Sequence, residues 1–206
     1  LPLAVLVLAA GAGSRYSSRP GAKLLADLDG QPVLAHVLES VRTFRPSATL
    51  VVLGHGARDI ERTIRWSGES RIINRTPDRG LASSLQVGFH ALASLPGEFD
   101  GALVVLGDQP RLRPEVMRML AETARRANEG CRGPLLVPRY EGEPGPRNPV
   151  LLLRAAWDWV EDLSGDRGLA MLIDSRPDLV LEVPVPGTMP DVDEPADLER
   201  LSARPA

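Results

Sequence analysis

The sequence has 206 residues, 43% of them hydrophobic and 25% charged, with a formal net charge of −3. These proportions suit one globular α/β domain with room for a substantial core, and the lack of a basic block argues against nucleic acid as the main partner, because phosphate-backbone binding needs clustered cations. The single cysteine, Cys131, excludes an internal disulfide and a cysteine-built zinc site, and it fits a reducing cytoplasm.

The apolar run from Leu1 to Ala10 follows no basic segment and is too short to span a membrane. A buried strand over Leu3 to Leu8 is expected instead, stopping abruptly at Gly11-Ala12-Gly13. Val33 to Phe44 carries Val33, Leu34, Val37, Leu38 and Val41, a helical stripe. Thr49 to Leu53 is a second strand, and Arg71 to Asn74 is a weaker one. Leu81 to Leu95 is helical through Leu85, Phe89 and Leu92. Ala102 to Leu106 is a strand, and Pro114 opens a helix with Val116, Met117 and Leu120. Pro134 to Val137 and Val180 to Val185 complete the strands. Strands alternating with helices imply a parallel sheet with right-handed crossovers. Arg139 to Pro149 holds three prolines and two glycines and is expected to be an irregular loop that closes over a substrate. No repeat is present, so one domain over residues 1–206 is expected: a nucleotide-binding half over about 1–110 and an acceptor-binding half over about 111–206.

In an open parallel sheet, ligands bind beyond the carboxyl ends of the strands. After the first run, Gly11 and Gly13 let the backbone bring its N–H groups to phosphate oxygens, and Arg15 and Lys23 add two cations. A third glycine is missing where Tyr16 stands, which disfavours a dinucleotide fingerprint, and no Walker A ending is present. Gly107-Asp108-Gln109-Pro110 puts a carboxylate on a tight turn at a strand end, and Mg²⁺ favours one or two carboxylates together with phosphate and water. Asp191 and Asp193 alternate around Val192, so either can join Asp108 or cap the helix expected near Pro195. His36 and His90 read as helix residues, His55 as a turn residue on the functional edge, and Trp157 and Trp159 as packing.

Together these motifs resemble the MobA-like nucleotidyltransferases, the group of molybdenum cofactor cytidylyltransferase and guanylyltransferase. The resemblance rests on Leu8 to Arg15 with Lys23, on Gly107 to Pro110, and on Asp191 to Leu198. Gly80 to Leu85, and Arg147 to Val150 followed by Ser164 to Gly168, are similar to the cytidylyltransferase branch. Where family members commonly carry Gly-His-Pro-Val, this chain has Arg147-Asn148-Pro149-Val150, a difference that bears on the acceptor.

The resemblance implies a three-layer α/β/α fold with a mostly parallel, Rossmann-like sheet of the nucleotide-diphospho-sugar transferase type. It implies Mg²⁺-dependent transfer of NMP, with CMP favoured, from CTP or GTP to a phosphorylated acceptor of the molybdopterin type. Nucleotide contacts are expected from Leu8, Ala9, Ala10, Gly11, Ala12, Gly13, Ser14, Arg15, Lys23, Gly80, Ser83, Ser84 and Asp108. Arg15, Lys23 and Asp108 are expected to be catalytic, and Asp108, Asp193 and Asp191 to hold metal. Arg147, Asn148, Pro149, Asp166 and Arg167 are expected at the acceptor. The partners implied are the NTP, the acceptor and a molybdoenzyme maturation protein, with no nucleic acid or membrane. Sugar-phosphate and methylerythritol-phosphate nucleotidyltransferases share the first motif, and a nucleotide carrier without turnover is a reading of a different class.

Overall fold

The opening apolar run forms β1 (Leu3–Ala9), in which all seven residues are buried. The structure is a computed structural model and describes residues 1–13, 15–127, 133–141 and 148–202. Ser14, Cys131, Arg147 and residues 142–147 of the expected loop lie outside the described residues. The other strands are β2 (Asp27–Leu28), β3 (Gln31–Pro32), β4 (Ala48–Leu53), β5 (Ser70–Ile73), β6 (Gly101–Leu106), β7 (Leu135–Tyr140), β8 (Val150–Leu153) and β9 (Val180–Val185).

Seven strands form one sheet in the order β5-β4-β1-β6-β8-β7-β9, while β2 and β3 pair as a small hairpin. β4 and β6 both lie parallel to β1, and β5 is parallel to β4. Among the described strands, β8 alone runs against its neighbours, β6 and β7, and β9 is again parallel to β7. The sheet is therefore mostly parallel, with one reversed strand that the alternating pattern does not predict. A second correction concerns the Pro-rich stretch: Arg139 and Tyr140 belong to β7, because Tyr140 is buried and pairs in register with Val185.

Side chains of β1 alternate between the two faces, as the pleat requires. Val5 and Val7 join one core with Leu34, Leu38, Met117 and Leu120. Leu6 and Leu8 join the other with Leu85, Phe89, Trp157 and Ile173. The first core is covered by α2 (Val33–Phe44) and α5 (Pro114–Ala127), which follow α1 (Ala22–Leu25) and precede the C-terminal α7 (Pro195–Ser202). The second is covered by α4 (Leu81–Ser94), α6 (Leu169–Ser175) and a 3₁₀ run at Arg154–Asp162; α3 (Ala57–Thr63) lies after β4. Helices on both faces make the three layers. A small third cluster of Leu28, Val33, Val192 and Leu201 ties the last residues to the first hairpin. Among the described residues, no helix is long and apolar enough to cross a membrane.

One ion pair fastens α2 to the entry of β5. Arg42 Nε donates to Glu69 Oε1 at 2.7 Å, and the Ser67 backbone N–H donates to Glu69 Oε2 at 2.6 Å. Burial by itself pushes the Glu69 carboxyl up, but the Arg42 and Ser67 hydrogen bonds outweigh it and hold the group below its ordinary 4.5. A depressed folded value adds stability that is complete above the ordinary value and is lost as pH falls through the folded one. Glu69→Gln is therefore expected to cost about 1–3 kcal/mol at pH 7. The gap to the parent in thermal melts should narrow as pH falls below the ordinary 4.5 and through the depressed folded value; a gap that stays unchanged into strong acid would remove this pair from the acid response.

Candidate active site

The carboxyl ends of β1, β4 and β6 meet at one rim. Residues 10–13 leave β1 and pass directly over Gly54, where a Cβ would stand 2.3 Å from the Ala10 carbonyl oxygen. Gly13 has φ +63°, and its carbonyl accepts the N–H groups of Tyr16 and Ser17 at 2.9 and 3.1 Å, so the chain folds back sharply there. The turn after β6 is fastened to β1 by Gly107 N–H donating to the Leu8 carbonyl at 2.9 Å. Asp108 therefore stands beside the glycine turn. The neighbouring Gln109 is 1% exposed, and neither polar atom of its amide has a hydrogen-bond partner among the described residues. An enclosed amide left unpaired would cost about 1–3 kcal/mol, so this one calls for a water, an ion or a ligand as its partner.

Four of the expected residues come together here. Lys23 Nζ lies 2.5 Å from Asp108 Oδ2 and 3.4 Å from Asp193 Oδ1, and Arg15 Nη1 lies 3.0 Å from Asp193 Oδ2. Burial opposes the charge on Lys23, but attraction and hydrogen bonds from Asp108 and then Asp193 prevail and hold the ammonium above its ordinary range. Asp193 reaches this place because Val192, fully buried, donates its backbone N–H to the Asp108 carbonyl at 2.9 Å. Burial pushes the Asp191 carboxyl up, its own backbone N–H offsets part of that, and the charges of Asp108 and Asp193 raise it further.

The cap of α7 falls to neither Asp191 nor Asp193. Asp197 Oδ2 accepts the backbone N–H groups of Asp193 and Glu194 at 2.8 and 2.7 Å, a first-turn carboxylate reaching back over the helix start. These hydrogen bonds lower the Asp197 carboxyl. Asp193 is left with its side chain directed at Lys23 and Arg15. Among the described residues, no three His, Cys, Asp or Glu groups are gathered to hold a metal. Of the two candidates expected to join Asp108, Asp193 is the one whose carboxylate converges with it, with Lys23 between them.

The expected nucleotide segment is built around Gly80, whose φ of +90° and ψ of −178° start α4. Ser83 and Ser84 are buried, and both hydroxyls accept from Asn74 Nδ2, at 2.8 and 3.0 Å. The Ser83 hydroxyl in turn donates to the Gly80 or Thr76 carbonyl, at 2.9 and 3.1 Å. The serines therefore shape the turn from within. Asn74, which ends the stretch read as a weak strand, organises them, and its place as a polar residue directly after a strand was the available signal.

Asp166 and Gly165 press against Gly80 from the other half of the chain, and Ala82 N–H donates to the Gly165 carbonyl at 3.0 Å. A mainly apolar cavity of about 210 Å³ opens nearby, with Leu8, Leu81, Leu85 and Leu106 in its wall and Asn148 and Arg167 as its polar and charged groups. Leu8, read as a nucleotide residue, thus shares a cavity with two residues read for the acceptor. Pro149 is buried next to it in sequence. His55 pairs with Asp78 at 2.8 Å on the same rim as β4 ends.

The family model described as "MobA-like NTP transferase domain" matches residues 5–180. Rv0371c from Mycobacterium tuberculosis H37Rv superposes with a TM-score of 0.82 at 27% identity, covering 98% of each chain. The same protein in complex with manganese gives 0.79 at 26% identity, again with 98% of each chain covered. The bifunctional protein GlmU of Novosphingobium aromaticivorans is 34% identical over 128 residues, which is 62% of this chain and 27% of GlmU. The chain thus spans about a quarter of the length of the curated relatives it matches.

Proposed function

We propose that this chain, which belongs to the MobA-like NTP transferase family, moves a nucleoside monophosphate from an NTP to a phosphorylated small molecule and releases pyrophosphate. The observation that carries the reading is the convergence of Asp108, Asp193, Lys23 and Arg15 beside the glycine turn after β1.

In this reading the N–H groups of the turn and the side chains of Arg15 and Lys23 hold the β- and γ-phosphates. An oxygen of the acceptor phosphate bonds to the α-phosphorus while the bond to the β-phosphate oxygen breaks. A phosphate monoester loses its second proton near pH ~6, so the attacking group is already mostly a dianion at neutral pH and needs no protein base. The work left to the protein is alignment and charge neutralisation. Asp108 and Asp193 fit a divalent cation by donor type, two hard carboxylates converging on one cationic position, and the manganese complex of Rv0371c supports a divalent cation in a protein of this fold. Bound there, Mg²⁺ would supply positive charge to the α-phosphate oxygens.

CMP is the favoured unit, from the Leu8-Ala9-Ala10-Gly11 opening and the Gly80-to-Leu85 segment. A molybdopterin-type acceptor is favoured by the family and by the cavity, because the faces of a fused ring pack well on leucines while Asn148 and Arg167 meet its polar edge. A sugar phosphate is the second reading, supported by the GlmU similarity. Several sugar hydroxyls would then face a wall with few polar partners, and each unpaired one costs about 1–3 kcal/mol. A cytoplasmic setting with NTP at hand completes the proposal.

Pyrophosphate release should be measured with each NTP and Mg²⁺ against molybdopterin and against a hexose 1-phosphate. Release with CTP and molybdopterin is expected. Release with the hexose phosphate alone would transfer the assignment to sugar activation, and silence with every pair would refute transferase activity.

A further inference from the structure

Lys23 has two anionic destinations within reach of one side chain. Its ammonium stands between Asp108 and Asp193, and only 13% of the side chain is exposed. Its stem runs alongside the glycine turn: a Cβ built on Gly13 lies 3.3 Å from Lys23 Cβ and 3.8 Å from its Cε. Turning the outer bonds of that stem carries the head from the carboxylates toward a phosphate held on the turn. Arg15 occupies the other oxygen of Asp193, so in the nucleotide-free chain two cations neutralise two carboxylates.

We infer that Lys23 is the resident counter-ion of the Asp108–Asp193 pair, and that a divalent cation binds well only when a triphosphate draws this ammonium away. The inference rests on the metal assignment proposed above. A dication entering between the carboxylates meets a positive charge already at hydrogen-bond distance. Like charges about 4 Å apart at the edge of a protein repel strongly enough to lower affinity on the order of 100-fold or more. The triphosphate removes that obstacle and brings charge of its own, so metal and nucleotide each strengthen the other's binding. Ordered charge exchange of this kind keeps the free site from trapping stray dications, and it leaves Lys23 on the phosphates when the metal arrives.

The test uses Mn²⁺ alone, titrated into the nucleotide-free chain by calorimetry and by electron paramagnetic resonance of the free ion. Lys23→Met keeps the stem and removes the charge. It is expected to bind Mn²⁺ at least ~10-fold more tightly than the parent. Its melting temperature should be lower than the parent's without metal, and Mn²⁺ should restore it. The double variant Lys23→Met/Asp108→Asn should lose the gain, which places the ion on the carboxylates. Lys23→Gln provides the same comparison if the methionine variant does not fold. Mn²⁺ affinity in both single variants equal to or below that of the parent overturns the inference. The measurement involves no turnover: tighter Mn²⁺ binding in a chain that never releases pyrophosphate would keep the counter-ion and discard the transferase, and the reverse pattern would do the opposite.

Discussion

Asp108→Ala is expected to lower kcat by on the order of 10²–10³-fold, the scale seen when one preorganised charge-stabilising group is removed. The carboxylate lies on a turn held from both sides, by Gly107 N–H on the Leu8 carbonyl and by Val192 N–H on the carbonyl of Asp108 itself. Both bonds use backbone, so the substitution deletes the charge without loosening the turn, and the variant should melt below the parent only by the loss of the Lys23 pair. Lys23 would keep Asp193 as its remaining anion. Nucleotides that bind the folded chain raise its melting temperature by mass action. The Mg·NTP-induced shift should therefore fall steeply in the variant, while the shift with nucleotide in EDTA should not fall, because Lys23 has one carboxylate fewer to leave. Steady-state rates and paired melts measure both. Turnover within ~5-fold of the parent would remove Asp108 from the chemistry.

Gly80→Ala should cause a large loss of stability at the functional rim. Two costs coincide. Its φ of +90° with ψ near 180° is a conformation nearly restricted to glycine, worth about 1–3 kcal/mol for any other residue. The added methyl would also lie 2.5 Å from the Gly165 carbonyl and 2.6 Å from Asp166 Oδ1, and forced overpacking typically costs a further ~1–3 kcal/mol. Backbone cannot swing aside as a long side chain can, so residues 165–166 must retreat from α4. Chemical denaturation should show a loss of about 2–6 kcal/mol, with nucleotide binding weakened alongside. A loss below 1 kcal/mol would mean that the contact between the two halves is soft.

The sequence made the strands on the functional rim easy to find because β1, β4 and β6 are buried on both faces and so read as unbroken apolar runs. α2 was equally legible, since its five buried residues form one stripe with no competing signal. β8 was not: its four residues follow directly on the Pro-rich stretch, and nothing local distinguishes a reversed strand from a parallel one. The hairpin of β2 and β3 did carry a sign, Asp29-Gly30 at its tip, but strands of two residues are too short to show a period. In the site, residues directly after strands were legible because topology fixes where they go. Their supports were not. Asn74 beneath the two serines, Val192 against the Asp108 carbonyl and Asp197 capping α7 all act through partners far away or through backbone groups, which a residue-type reading does not register.

Lys23 and Asp193 stand 170 positions apart, and the second reaches the first only because the strip around Val192 docks on the turn after β6. In the proposed reading, a nascent chain would expose the glycine turn, Arg15 and Lys23 on the ribosome long before the Asp193 carboxylate is made, and a protease cut between β9 and α7 would sever that carboxylate's covalent link to the seven-stranded sheet.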